Sequence, residues 1–121
     1  MSAQLAPEVQ EKLDKLLAEI RSSQKELTDL ASSRQKLLAQ QTEHEMTRKE
    51  LELAKDTDEI YKQVGTVMFP QSKEETIHIL AQHEHHLKEE LERVEKLHEA
   101  AEKKADELQK QLVELRQQTS S

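Results

Sequence analysis

Six histidines are the residues here whose type most readily suggests chemistry. Four of them cluster, His78, His83, His85 and His86, with His44 and His98 further off. His83 and His86 stand three apart, close enough on one helix face for two imidazoles to share a metal ion. The pattern stops short of a site. The chain has no cysteine, and Leu87 occupies the place where an HExxH metal motif starting at His83 needs its second histidine. A solvated helix face is the reading that these residues support, with a pH-sensitive contact between His44 and Glu84 as a sharper alternative. The adjacent carboxylates Glu74-Glu75 and Glu89-Glu90 invite thoughts of acid–base work, which needs a cleft that shifts a pKa and excludes water. Nothing in the sequence builds such a cleft, a phosphate-binding glycine loop, or a nucleophile with its base. The expectation is therefore no enzyme, no metal and no cofactor.

The elements that carry these residues follow from composition and spacing. Within 121 residues, room for one domain, there is one glycine (Gly65), two prolines (Pro7 and Pro70) and no tryptophan. Tyr61 and Phe69 are the only aromatic residues, so a compact core built on large rings is excluded. Charged residues make up 36% of the chain, beside abundant Leu, Gln and Ala, which is the composition of long helices. A net charge of −7 argues against general nucleic-acid binding and against docking on an anionic membrane. No apolar run is long enough to span a bilayer, and Met1 to Val9 lacks the basic and apolar regions of a signal peptide. With the missing cysteines, this makes a cytoplasmic location the expectation.

Residues recur, most of them apolar, at alternating steps of four and three from Val9 through Leu13, Leu16, Ile20, Ser23, Leu27, Leu30, Arg34, Leu37, Gln41, His44 and Arg48 to Leu51, with the polar interruptions concentrated toward the C-terminal half. The same steps connect Ile77, Leu80, Glu84, Leu87, Leu91, Val94, His98, Ala101, Ala105, Leu108, Leu112 and Leu115. A sustained period of 3.5 residues is a coiled-coil seam. It predicts helices over 8–55 and 73–118, the second started by Ser72 with Glu75 at capping-box spacing. Asp56-Thr57-Asp58 stops the first helix. Ile60–Val64 and Val67–Pro70 are short runs of β-formers around Gly65-Thr66, which predicts a tight hairpin within 59–70 with glycine at the positive-φ position. In that register Val64 faces Val67 and Lys62 faces Phe69. Ile60, Val64, Val67 and Phe69 then share one face, with Tyr61 and Met68 on the other.

A hairpin between two helices of near-equal length makes them antiparallel. The seams then meet as Leu51 with Ile77, His44 with Glu84, Leu37 with Leu91, Ser23 with Ala105, Ile20 with Leu108, Leu16 with Leu112 and Leu13 with Leu115. Both chain ends fall at the far tip. A lone two-stranded hairpin is marginal in water, so the apolar residues of 60–69 make sense if several hairpins join in a shared sheet or barrel.

At this point the residues carry a resemblance. Ile60-Tyr61-Lys62, Val64-Gly65, Val67 with an apolar pair, and the charged helix start Lys73-Glu74-Glu75 resemble the beta-class prefoldin pattern. Within that class the sequence looks most like the subunit 6 type, where Pro70 fits the second strand, although the region after Ile77 departs from it; an archaeal beta subunit is the other reading. The resemblance implies one prefoldin-like domain over 1–121. It implies a subunit of a hexamer of alpha- and beta-class chains that assembles as a multi-subunit β-barrel with coiled-coil arms. Ile60, Tyr61, Val64, Gly65, Val67, Met68 and Phe69 would form the oligomerisation hairpin. The implied activity is an ATP-independent holdase that binds unfolded clients such as actin and tubulin and delivers them to a group II chaperonin. The residues themselves supply a mechanism: pairing frays at free helix ends, leaving Leu5, Val9, Leu13, Leu17, Leu112, Val113 and Leu115 able to cover apolar segments of a client. The competing reading is a structural coiled-coil tether, a parallel rod broken at its centre, which leaves the hairpin unexplained.

Overall fold

The structure, a computed structural model, describes residues 6–120, the side chain of Ser120 excepted. Helix α1 (Pro7–Leu53) is followed by strands β1 (Ile60–Val64) and β2 (Val67–Gln71) and by helix α2 (Lys73–Ser120). The mainly α architecture of two long helices joined by one β-hairpin is the expected one.

Local chemistry sets each boundary. Pro7 opens α1, where its missing N–H costs no hydrogen bond, and the carbonyl of Ala6 accepts the amide of Gln10 at 2.9 Å. Glu8 lies in the first turn, against the positive end of the helix dipole. At the other end, a carboxylate oxygen of Asp58 accepts the Lys55 amide at 2.7 Å and turns the chain out of α1. Ser72 caps α2, its hydroxyl accepting the Glu75 amide at 3.1 Å.

The chain divides into two compact units. The terminal unit joins the described parts of Met1–Ser33 and Val94–Ser121; the hairpin unit is Arg34–Arg93. In the terminal unit, Leu16 and Ile20 of α1 bury themselves against Leu108 and Leu112 of α2, with Leu13, Leu17 and Leu115 packed around them. The two helices run antiparallel here, as the expected pairs require. In the hairpin unit, Leu51, Leu80, Leu87 and Leu91 are buried. The chain reverses at the hairpin, and in the terminal unit its two helices pair antiparallel, which departs from the single parallel rod of the tether reading.

Every buried residue among those described lies on the seam read from the spacing. Three seam positions behave differently. Arg34 and Gln41 are exposed, because their polar heads reach water from the edge of the helix interface. Ile77 is 38% exposed although Leu80 is buried, since α1 ends two residues past Leu51 and little remains opposite the first turn of α2.

Ser23 is 2% exposed, and its hydroxyl has no hydrogen-bond partner. It lines a cleft with Ile20, Leu27, Ala105 and Leu108, so the expected meeting of Ser23 and Ala105 is present. A buried hydroxyl without a partner is a net cost, so Ser23→Ala should stabilise the chain by about 1 kcal/mol. Leu108→Ala, which opens a cavity in the same unit, should destabilise it by about 2–4 kcal/mol. Urea unfolding followed by helical circular dichroism reads both.

Candidate functional site

The hairpin is built around a reversal that only glycine makes without strain. Gly65 has φ +62°, and an added Cβ would meet nothing within 4 Å. Glycine is needed here for conformation, not for space. No other residue in the described chain has positive φ, so Thr66 completes the turn from the ordinary side of the backbone map. The strands pair Val64 with Val67, Gln63 with Met68, Lys62 with Phe69, Tyr61 with Pro70 and Ile60 with Gln71. This is the register expected from the two-residue turn.

Strand alternation then sorts the side chains. Ile60, Val64, Val67 and Phe69 share one face, and Tyr61 and Met68 the other. Ile60 is half-buried; the remaining five apolar side chains are between 47% and 57% exposed. Within a sheet of two strands neither face is fully covered, so roughly half of each of these side chains meets solvent. The Tyr61 hydroxyl donates to a carboxylate oxygen of Glu59 at 2.8 Å, and that bond holds the phenol above its usual pKa. Gln63 donates from Nε2 to the Gly65 carbonyl at 3.1 Å, bracing the turn.

The hairpin is anchored at its root. Lys73 donates from Nζ to the carbonyl of Ala54 at 2.8 Å, placing a cation at the negative end of α1. Thr76 donates to the Gln71 side-chain oxygen at 3.3 Å, tying the first turn of α2 to the last residue of β2. Deeper in the same unit, Arg48 grips Glu84 with both ends of its guanidinium, at 2.8 and 2.9 Å from Nη2 and 3.1 Å from Nε. The expected partner of Glu84 was His44. Arg48, one turn further along α1, takes its place because a planar guanidinium matches both carboxylate oxygens, which an imidazole does not. His44 lies instead beside His83, with ring centroids 6.2 Å apart and its Nδ1 buried without a partner. Opposite charges at seam positions 48 and 84 were the available signal, which the pairing of Glu84 with His44 passed over.

Of the other histidines, His78, His85 and His86 are exposed and His98 is half-buried. His85 sits 2.8 Å from Glu89 and His98 3.2 Å from Glu102, both across one helical turn. Among the described residues no three His, Cys, Asp or Glu side chains converge in a way that could hold a metal ion. Glu90 is bound by Arg93 at 3.0 Å, and that hydrogen bond and charge hold its carboxyl below the ordinary glutamate range.

In the terminal unit, Val9, Leu13, Leu17 and Leu115 line a shallow cleft of about 150 Å³ with Arg116 and Thr119. All four of these apolar side chains are half-buried. Leu112 is core, and Val113 is 50% exposed. Leu17, off the seam by spacing, is partly covered because it packs against the buried cluster. Leu5 lies outside the described residues. No helix among the described residues is long and apolar enough to cross a membrane.

Gly65→Ala should cost about 1–2 kcal/mol, because an L side chain is strained at positive φ, and Gly65→Asn should cost less. Thermal unfolding of the two variants, compared in one buffer, tests the order.

Comparison with known proteins adds three findings. Residues 7–119 match the family described as "Prefoldin subunit". A probable prefoldin subunit 6 from Dictyostelium discoideum is 41% identical over 68 residues, which is 56% of this chain and 49% of that protein, so the match spans about half the relative's length. The crystal structure of the prefoldin beta subunit from Thermococcus strain KS-1 superposes with a TM-score of 0.77 at 25% identity, covering 91% of this chain and 93% of that one.

Proposed function

Because the chain belongs to the prefoldin subunit family, in its beta class, we propose that it works as one subunit of a hetero-hexameric, ATP-independent holdase. Its hairpin joins those of alpha- and beta-class neighbours in a shared β-barrel. Its helical ends shield unfolded chains, of which actin and tubulin are examples, and pass them to a group II chaperonin. The subunit is non-catalytic and works in the cytoplasm. The resemblance of its hairpin to the subunit 6 type, and the partial identity to such a subunit, support that branch of the class.

One observation carries the assembly half of this reading. Val64, Val67, Met68 and Phe69 stand half exposed on both faces of a two-stranded sheet, although they are apolar residues in an otherwise strongly polar chain. At about 25 cal/mol per Å² of apolar surface covered, closing several such hairpins together is strongly favourable. The client half rests on Val113 and on the cleft of Val9, Leu13, Leu17 and Leu115, apolar groups only partly covered near the ends of both helices. Each contact is weak. Several arms holding one client multiply weak contacts into useful retention.

Native purification with this chain should yield a six-subunit particle of small coiled-coil proteins. Val64→Ser, Val67→Ser and Phe69→Ser together should dissociate it; a homodimer indifferent to those changes would leave only a structural tether. Val113→Asp should leave the particle's mass intact. It should weaken each arm's hold on a denatured protein by about 1 kcal/mol, measured as a higher particle concentration needed to suppress aggregation.

A further inference from the structure

In the hairpin unit, two imidazoles meet from different helices. His44 of α1 stands beside His83 of α2, with ring centroids 6.2 Å apart and ring planes inclined by 30°. Both line a cleft of about 290 Å³, whose wall also includes Leu37, Leu87, His86 and Glu90. Elsewhere a histidine is held by a carboxylate one turn away, as His85 is by Glu89 and His98 by Glu102. The carboxylate of this cleft, Glu90, is already taken by Arg93. Among the described residues His44 and His83 have no such partner, and Nδ1 of His44 is buried without a hydrogen bond. No protein group therefore occupies the lone pair of either ring. Imidazole nitrogens are ligands for first-row divalent cations. With metal–nitrogen bonds of about 2.0–2.1 Å, two imidazoles on one tetrahedral ion have centroids roughly 5 Å apart, a little closer than here and within the reach of side-chain rotation.

We propose that His44 and His83 form a two-imidazole clip for a divalent cation of the zinc, nickel and copper type, joining α1 to α2. No third ligand converges among the described residues, so water completes the coordination shell. The site fills and empties with metal concentration, unlike a closed structural zinc centre. Hard cations such as Mg²⁺, which take oxygen ligands, are not suited to it. Its place on the seam gives it an effect on the fold. Between Leu37 and Leu51 the α1 seam positions are Gln41, His44 and Arg48, so the clip acts where leucine burial is missing. Its two ligands are distant in sequence and meet only in the folded unit, so metal binding stabilises the folded chain. The inference is independent of the assembly reading, since both ligands belong to one chain.

Titration of the full chain with Ni²⁺, followed by calorimetry and by thermal unfolding, tests the clip. Ni²⁺ should bind one to one and raise the melting temperature; Mg²⁺ should do neither. His44→Gln or His83→Gln alone should weaken binding by roughly tenfold or more and abolish the rise. His85→Gln and His86→Gln, outside the pair, should leave both readings unchanged. Acidification should release the metal, because imidazole ligates only when unprotonated. The metal-free helical circular dichroism of each variant separates lost ligation from lost fold. Loss of binding in His86→Gln but not in His44→Gln would place the metal on α2 alone and overturn the clip. Binding that survives removal of both His44 and His83, or no saturable binding at all, overturns it equally.

Discussion

Burial of a narrow leucine stripe is the interaction on which the rest of this chain depends. With one phenylalanine and one tyrosine, both on the hairpin, the helices have no large rings to pack. Their stability comes from Leu, Ile, Val and Ala repeated every three or four residues, each touching the opposite helix at a single layer. Such a seam supplies only a small amount per residue, so it must be long. That demand accounts for 47- and 48-residue helices without an internal proline or glycine, and for the confinement of Gly65 and Pro70 to the hairpin.

Much of this was legible in the order of residues. Among the described residues, the period of 3.5 marked every buried side chain in advance, because a helix has only one way to present such a stripe. The Gly65-Thr66 step gave the strand register, since a two-residue turn leaves no freedom to slip. Ser72 and Asp58 announced the helix boundaries through hydrogen bonds that need only neighbours in sequence. The candidate assembly surface followed from the same alternation.

What escaped depended on geometry between helices. Periodicity says that position 84 faces α1, but not which of two residues a turn apart has the reach and shape to take its charge; Arg48 won over His44. It placed Ile77 on the seam without registering that α1 was about to end opposite it. It set Leu17 aside as off-stripe, whereas a leucine one residue past Leu16 still lies against the cluster's flank. These are facts about distance and side-chain length, which spacing alone does not encode.

The clasp between Arg48 and Glu84 has a consequence for how the two helices find their alignment. A heptad displacement of one seam against the other would again bring leucine to leucine, so apolar burial by itself leaves neighbouring alignments nearly degenerate. The clasp lifts that degeneracy. Displaced by one heptad, Glu84 would face either Gln41, which carries no charge, or a point beyond Leu53, where α1 has ended. In either case a half-buried carboxylate would lose its only two-pronged partner while the leucines gained nothing. The pair thus works as an index mark in an otherwise repetitive scale. It contributes little to the depth of the native well, and a good deal to its separation from the wells on either side.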